Sequence, residues 1–172
     1  MNTDNMTLSG ETIDYGPCAF MDAYDPGTVF SSIDHMGRYA YANQPDIAQW
    51  NLARLAETML PLLDDEIEKA ADTIEEVVNG FGALYKDKWL SMMRAKLGLF
   101  GARAEDESLI TDLLDWMQRA GADYTNTFRH LTEEKPPQGK PYNDRAFKEW
   151  YTHWQAQLAK NTKPLKSSLS LM

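Results

Sequence analysis

Residues 45–62, Pro45-Asp-Ile-Ala-Gln-Trp-Asn-Leu-Ala-Arg-Leu-Ala-Glu-Thr-Met-Leu-Pro-Leu62, set the structural class of most of the chain. Ile47, Trp50, Leu52, Leu55, Met59 and Leu62 recur at helical spacing. Pro45 suits a first helical position, where its missing N–H would have no partner anyway. The spacing predicts a helix from about Pro45 to Leu60, with this apolar stripe in the core.

The same periodicity continues outward. A second pattern starts at Asp64-Asp-Glu66 and runs through Ile67, Ala71, Ile74, Val77, Val78, Phe81, Leu84, Tyr85, Trp89, Met92, Met93 and Leu97, with a kink expected at Gly80 and Gly82. Gly98 to Gly101 ends that pattern. Glu105 to Arg119 then reads as an amphipathic helix with Leu109, Ile110, Leu113, Leu114 and Met117 on one side. A short helix is predicted over Tyr124 to Leu131, and three prolines and a glycine make Lys135 to Pro141 a loop. The final helix, about Asn143 to Lys160, carries Phe147, Trp150, Tyr151, Trp154 and Leu158, an aromatic stripe expected to cap the core. The fold class is therefore mainly α, with a short extended, β-hairpin-like segment at the N-terminus. Residues 1–42 form a loop segment and 43–172 a helical lobe.

With 172 residues, 43% of them hydrophobic, the chain can bury one sizeable core. Its net charge of −9 excludes sequence-independent nucleic-acid binding, which draws its affinity from Lys and Arg. The acidic runs Asp64–Glu68 and Asp72–Glu76 read as solvated helix faces. No apolar run is long enough to span a bilayer and no signal-peptide pattern opens the sequence, so a cytoplasmic protein is expected, without a membrane partner. One cysteine, Cys18, rules out an intrachain disulfide and reads as a small buried residue. His35, His130 and His153 lack paired ligand spacing, which argues against zinc. Arg38 lies four residues after Asp34, and an ion pair pinning that loop is the preferred reading, ahead of a phosphate contact.

Chemistry concentrates at the start of the chain. Asp4 and Asn5 are adjacent, and Asp14-Tyr15-Gly16 follows nine residues after Asn5. An amide oxygen and a carboxylate from neighbouring loops are hard ligands that suit magnesium or manganese in phosphoryl chemistry. Between them, Met6 to Ile13 reads as two short extended pieces around a turn at Ser9-Gly10-Glu11, which would return Asp14 to Asn5. Asp, Asn and Gly are also ordinary turn formers, so these positions alone leave a plain loop reading open. An ordinary protein kinase is disfavoured, because its catalytic Asp precedes the metal-binding Asn by several residues.

A longer set of residues resolves the choice. Asn2-Thr-Asp-Asn-Met6, Thr12-Ile-Asp-Tyr-Gly-Pro17, Phe20-Met-Asp22, Gly37-Arg-Tyr39, Asn43-Gln-Pro45 and Trp50-Asn-Leu-Ala-Arg-Leu55 closely resemble the selenoprotein O family. That resemblance implies a kinase-like fold, of which this chain would be the helical C-terminal lobe, and protein adenylyltransferase activity, moving AMP from ATP to hydroxyl side chains of other proteins. It implies Asp4 as catalytic base, Asn5 and Asp14 as ligands of magnesium or manganese, and Asp14 as a nucleotide contact. It also implies that the ATP cradle of a glycine loop, a lysine and arginines lies upstream. Gly80-Phe-Gly82 is no substitute for it, since it sits in a helical pattern without a following Lys. The expectation is a fragment covering the second lobe, inactive without its N-terminal lobe. The alternative is a helical protein-interaction module whose catalytic residues are vestigial.

Overall fold

Gly80 divides what the periodicity joins. The computed structural model of the chain describes residues 3–12, 19–133 and 135–160, and in it two helices meet at this glycine. The helices are α1 (Gln44–Leu63), α2 (Ile67–Asn79), α3 (Phe81–Lys96), α4 (Asp106–Ala120), α5 (Tyr124–Leu131) and α6 (Arg145–Ala159). Short 3-10 turns occupy Thr3–Asn5, Tyr41–Asn43 and Pro141–Asn143. A Cβ on Gly80 would come within 3.3 Å of the Val77 carbonyl, whereas one on Gly82 would meet nothing within 4 Å. The expected mainly α class holds. The extended pieces expected over Met6 to Ile13 do not form a strand among the described residues, whose one β feature is an isolated bridge between Ala23 and Asp123. Among the described residues, no helix is long and apolar enough to cross a membrane.

The chain divides into two compact units, residues 1–19 with 26–87, and residues 20–25 with 88–172. The second unit holds a dense core. Leu109, Ile110, Leu113, Trp116 and Met117 line one face of α4, and α6 supplies Phe147, Trp150, Trp154 and Leu158, all buried. Met93 and Leu97 of α3 and Phe128 and Leu131 of α5 complete it. The aromatic stripe of α6 is thus core, as its spacing implies. Burying indoles requires partners for their N–H groups. Trp150 donates to the Leu109 carbonyl at 2.8 Å, Trp154 to the Leu97 carbonyl at 2.9 Å and Trp116 to the Asp144 carboxylate at 2.9 Å. Asp144 also accepts from Ala146 N–H at the start of α6. Asp123 caps α5 by accepting from Asn126 N–H at 2.6 Å. Residues 20–25 are strapped on by Tyr24 N–H to Ala122 carbonyl (2.9 Å), Tyr124 N–H to Asp22 carbonyl (2.7 Å) and stacking of Tyr24 on Tyr124.

One buried charge organises the turn before α4. Asp106 is fully buried, and its Oδ2 accepts from Arg94 Nε at 2.8 Å and from Arg103 N–H at 2.9 Å. The Arg103 guanidinium in turn donates to the carbonyls of Gln157 and Lys160 at the end of α6. A cation on those last carbonyls also complements the negative end of the helix.

The first unit is packed differently. Helices α1 and α2 contact each other, and Gln49 Nε2 donates to the Val78 carbonyl at 2.9 Å. The half-buried Gln49, Ala53, Ala56 and Leu60 on α1, and the buried Ala70 with the half-buried Ile74 and Val78 on α2, repeat at three and four residues and form the facing stripes. Pro61 lies inside the last turn of α1, and the helix runs past it to Leu63, where Asp64 turns extended and accepts Glu66 N–H. Among the described residues of this unit, the buried apolar side chains are only Ala40, Ile47, Ala48 and Ala70. The expectation that the α1 stripe is core holds for the buried Ile47, and Leu52 is half-buried, but it is corrected for the other four positions. Trp50, Leu55, Met59 and Leu62 are 43%, 37%, 41% and 81% exposed, because α2 covers the neighbouring stripe.

Three stability outcomes are expected. Asp106→Ala strands the Arg94 and Arg103 donors and should cost about 3–5 kcal/mol, while Arg145→Ala, which removes an exposed pair with Glu149, should leave the unfolding midpoint unchanged. Gly121 ends α4 at φ 59°, so Gly121→Ala should cost about 1 kcal/mol through backbone strain alone. Urea unfolding followed by tryptophan fluorescence measures all three.

Candidate active site

Local turn chemistry places the first predicted residues. Asp4 and Asn5 are consecutive in the 3-10 turn Thr3–Asn5, with Asn5 exposed. After it, Thr7 Oγ1 lies 3.0 Å from Ser9 Oγ and donates to the Glu11 carbonyl, and Glu11 N–H is 3.4 Å from Ser9 Oγ. Gly10 has a φ of 74°, a left-handed conformation that costs glycine no Cβ clash. The chain thus bends at Ser9-Gly10-Glu11, held by hydroxyl groups rather than by a strand ladder, and the expected return to Asp14 lies outside the described residues. Asp14, with Ile13 and the Tyr15–Cys18 run, lies outside the described residues. Of the three predicted site residues, the described structure brings Asp4 and Asn5 together on one turn.

That segment lies against α1. Asn51 is buried, and its Nδ2 donates to the Met6 sulfur at 3.0 Å. Next to this contact is a cavity of about 540 Å³ between Thr3, Met6, Thr7 and Leu8 on one side and Asn51, Leu52, Arg54 and Leu55 on the other. Its lining is apolar apart from the two threonines, the Asn51 amide and the Arg54 guanidinium.

Arg54 belongs to a second arrangement. Its guanidinium lies 5.2 Å from the Trp50 ring centre and is paired with Glu57 at 2.6 Å, and the Arg38 guanidinium lies 4.9 Å from the same ring. Each such contact attracts a cation to the electron-rich face of the indole. Asp34 does pin its loop, but the expected partner is corrected. Its two carboxylate oxygens accept the backbone N–H groups of Arg38 (2.9 Å) and Tyr39 (2.8 Å), which leaves the Arg38 side chain to turn onto Trp50. This is the usual preference of a short carboxylate for nearby backbone donors in a turn. Asn51 and Arg54 enter the sequence reading only within the Trp50–Leu55 run, with no role assigned to either. The available signal was the four-residue interval from Trp50 to Arg54, which stacks their side chains on one helix face.

Chemically, the exposed Asn5 offers a hard oxygen donor of the kind magnesium accepts, on the same turn as the Asp4 backbone. Among the described residues there is no group of three or more His, Cys, Asp or Glu side chains placed to hold a metal ion. Asp14, whose carboxylate is also a hard oxygen donor, lies outside the described residues.

Comparison with known proteins bears on the same residues. The family described as protein adenylyltransferase SelO matches residues 1–169. Proteins called protein nucleotidyltransferase YdiU are similar over the whole chain, with 66% identity in Nitrosococcus oceani, 57% in Alcanivorax borkumensis and 58% in a Clostridium botulinum strain. All 172 residues are covered in each case, and they span 35%, 36% and 35% of the relatives' own lengths. By this match along nearly its entire length, the chain belongs to the SelO family of nucleotidyltransferases.

Proposed function

We propose that this chain carries the base and metal-ligand segment of a protein adenylyltransferase, working in the cytoplasm with polypeptide beyond these 172 residues. The observation that carries the reading is the family match across residues 1–169, which includes the turn bearing Asp4 and Asn5. ATP is the donor, and Ser, Thr or Tyr hydroxyls of other proteins are the acceptors. The acceptor oxygen attacks the α-phosphorus and forms a new O–P bond. The bond to the bridging oxygen breaks, pyrophosphate leaves with its electron pair, and the hydroxyl proton passes to the Asp4 carboxylate. Asn5 and Asp14 would hold a magnesium or manganese ion, which supplies charge neutralisation at the phosphate oxygens. Asp14 also approaches the nucleotide, so its loss removes two functions together. The chain spans 35% of the Nitrosococcus relative's length, which supports the expectation that the isolated chain is inactive without the rest of the family's polypeptide.

A second reading, a helical interaction module, is favoured by the exposed apolar side chains of the first unit. The two readings separate in a labelling assay. The isolated chain, given labelled ATP, magnesium or manganese and a generic acceptor protein, should incorporate no AMP. The chain placed in the matching third of the Nitrosococcus relative should incorporate it, with Asp4→Ala lowering the rate by on the order of 10²–10⁴ and Asp14→Ala abolishing it. Labelling that survives both substitutions, or a folded hybrid that stays silent when the natural relative labels, contradicts the catalytic reading.

A further inference from the structure

We propose that the outward stripe of α1, together with the groove against Thr3–Leu8, seats an apolar helix face from the part of the family's polypeptide that lies outside these 172 residues. The inference rests on reading the chain as one part of a longer catalytic unit, and it states where the remainder docks.

Leu52, Leu55, Met59 and Leu62 follow one another at intervals of three, four and three residues, so they form a single stripe along α1. Ten residues of helix make it about 15 Å long, enough for roughly three turns of a partner helix. The stripe beside it already faces α2, and Gln49 is tied there to the Val78 carbonyl. Within the first unit, α2 therefore cannot also cover Met59 and Leu62. At its other end the stripe opens into the 540 Å³ cavity, which Leu52 and Leu55 line together with Met6 and Leu8. A continuous apolar face of this kind, with so little apolar surface buried elsewhere in the unit, marks an interaction site.

Two observations select the occupant. The relatives are nearly three times as long as this chain, which spans 35% of the Nitrosococcus protein and leaves 65% (100 − 35) of polypeptide to account for. A second copy is disfavoured because two chains each of net charge −9 repel one another. The groove wall is moreover the segment bearing Asp4 and Asn5, so a helix seated there would brace the catalytic turn as well as cover α1.

The test reads solvent access rather than activity. Hydroxyl-radical labelling followed by mass spectrometry compares Leu55, Met59 and Leu62 in the isolated chain and in the chain carried within the Nitrosococcus relative, with light scattering to establish that each is monomeric. The proposal expects labelling slowed on the order of tenfold or more in the longer monomer, and restored at Met59 and Leu62 by Leu55→Glu. Equal labelling in both proteins overturns it, as does protection that depends on protein concentration, which would assign the face to a second copy. If the hybrid does not fold, the same comparison at the matched positions of the natural relative decides the matter. Protection without AMP transfer would leave the docking face standing and remove the proposed activity, and transfer without protection would do the reverse.

Discussion

Burial of one face of α4 beneath the aromatic stripe of α6 is the contact on which the second unit depends. It takes indole and phenyl rings out of water, at an apolar gain of about 25 cal/mol per Å², and it is possible because each buried indole N–H finds an oxygen. The Arg94–Asp106 pair and the Arg103 contacts to the end of α6 fix the register of the same helices. A buried pair of this kind adds little net stability over an apolar substitute, yet breaking it is costly, so it acts mainly on which arrangement forms.

The first unit shows the opposite condition. Its helices α1 and α2 face each other through alanines and a few aliphatic side chains, while a row of leucine and methionine side chains stays in contact with solvent. The segment assigned to the chemistry lies against this thinly buried unit, through Met6 on Asn51. Catalytic groups must be held to within a fraction of an ångström to be effective. Among the described residues, the segment after the turn bearing Asp4 and Asn5 is held by the Met6–Asn51 contact and by hydroxyl hydrogen bonds rather than by a strand ladder.

Sequence periodicity located the elements well where each helix buries a single face. The bounds of α5 and the burial of Phe147, Trp150, Trp154 and Leu158 on α6 match what spacing implies. It misassigned the α1 stripe because apolar spacing reports which face avoids water in a completed assembly, not what covers that face. The Asp34–Arg38 interval misled for a different reason: carboxylates satisfy backbone N–H groups within a turn before they reach a distant guanidinium. At the candidate site, residue types were legible and geometry was not. Asp4 and Asn5 are adjacent by sequence alone, whereas Asp14 lies outside the described residues.

The central claim is that Asn5 and Asp14 hold the metal on which nucleotide transfer depends. Manganese electron paramagnetic resonance, recorded with ATP on the chain carried within the Nitrosococcus relative, addresses it most directly. The account predicts that Asn5→Ala weakens manganese binding and Asp14→Ala abolishes it while the circular dichroism of the helices is retained. Unchanged manganese affinity in both variants would contradict the assignment and place the metal elsewhere in the family's polypeptide.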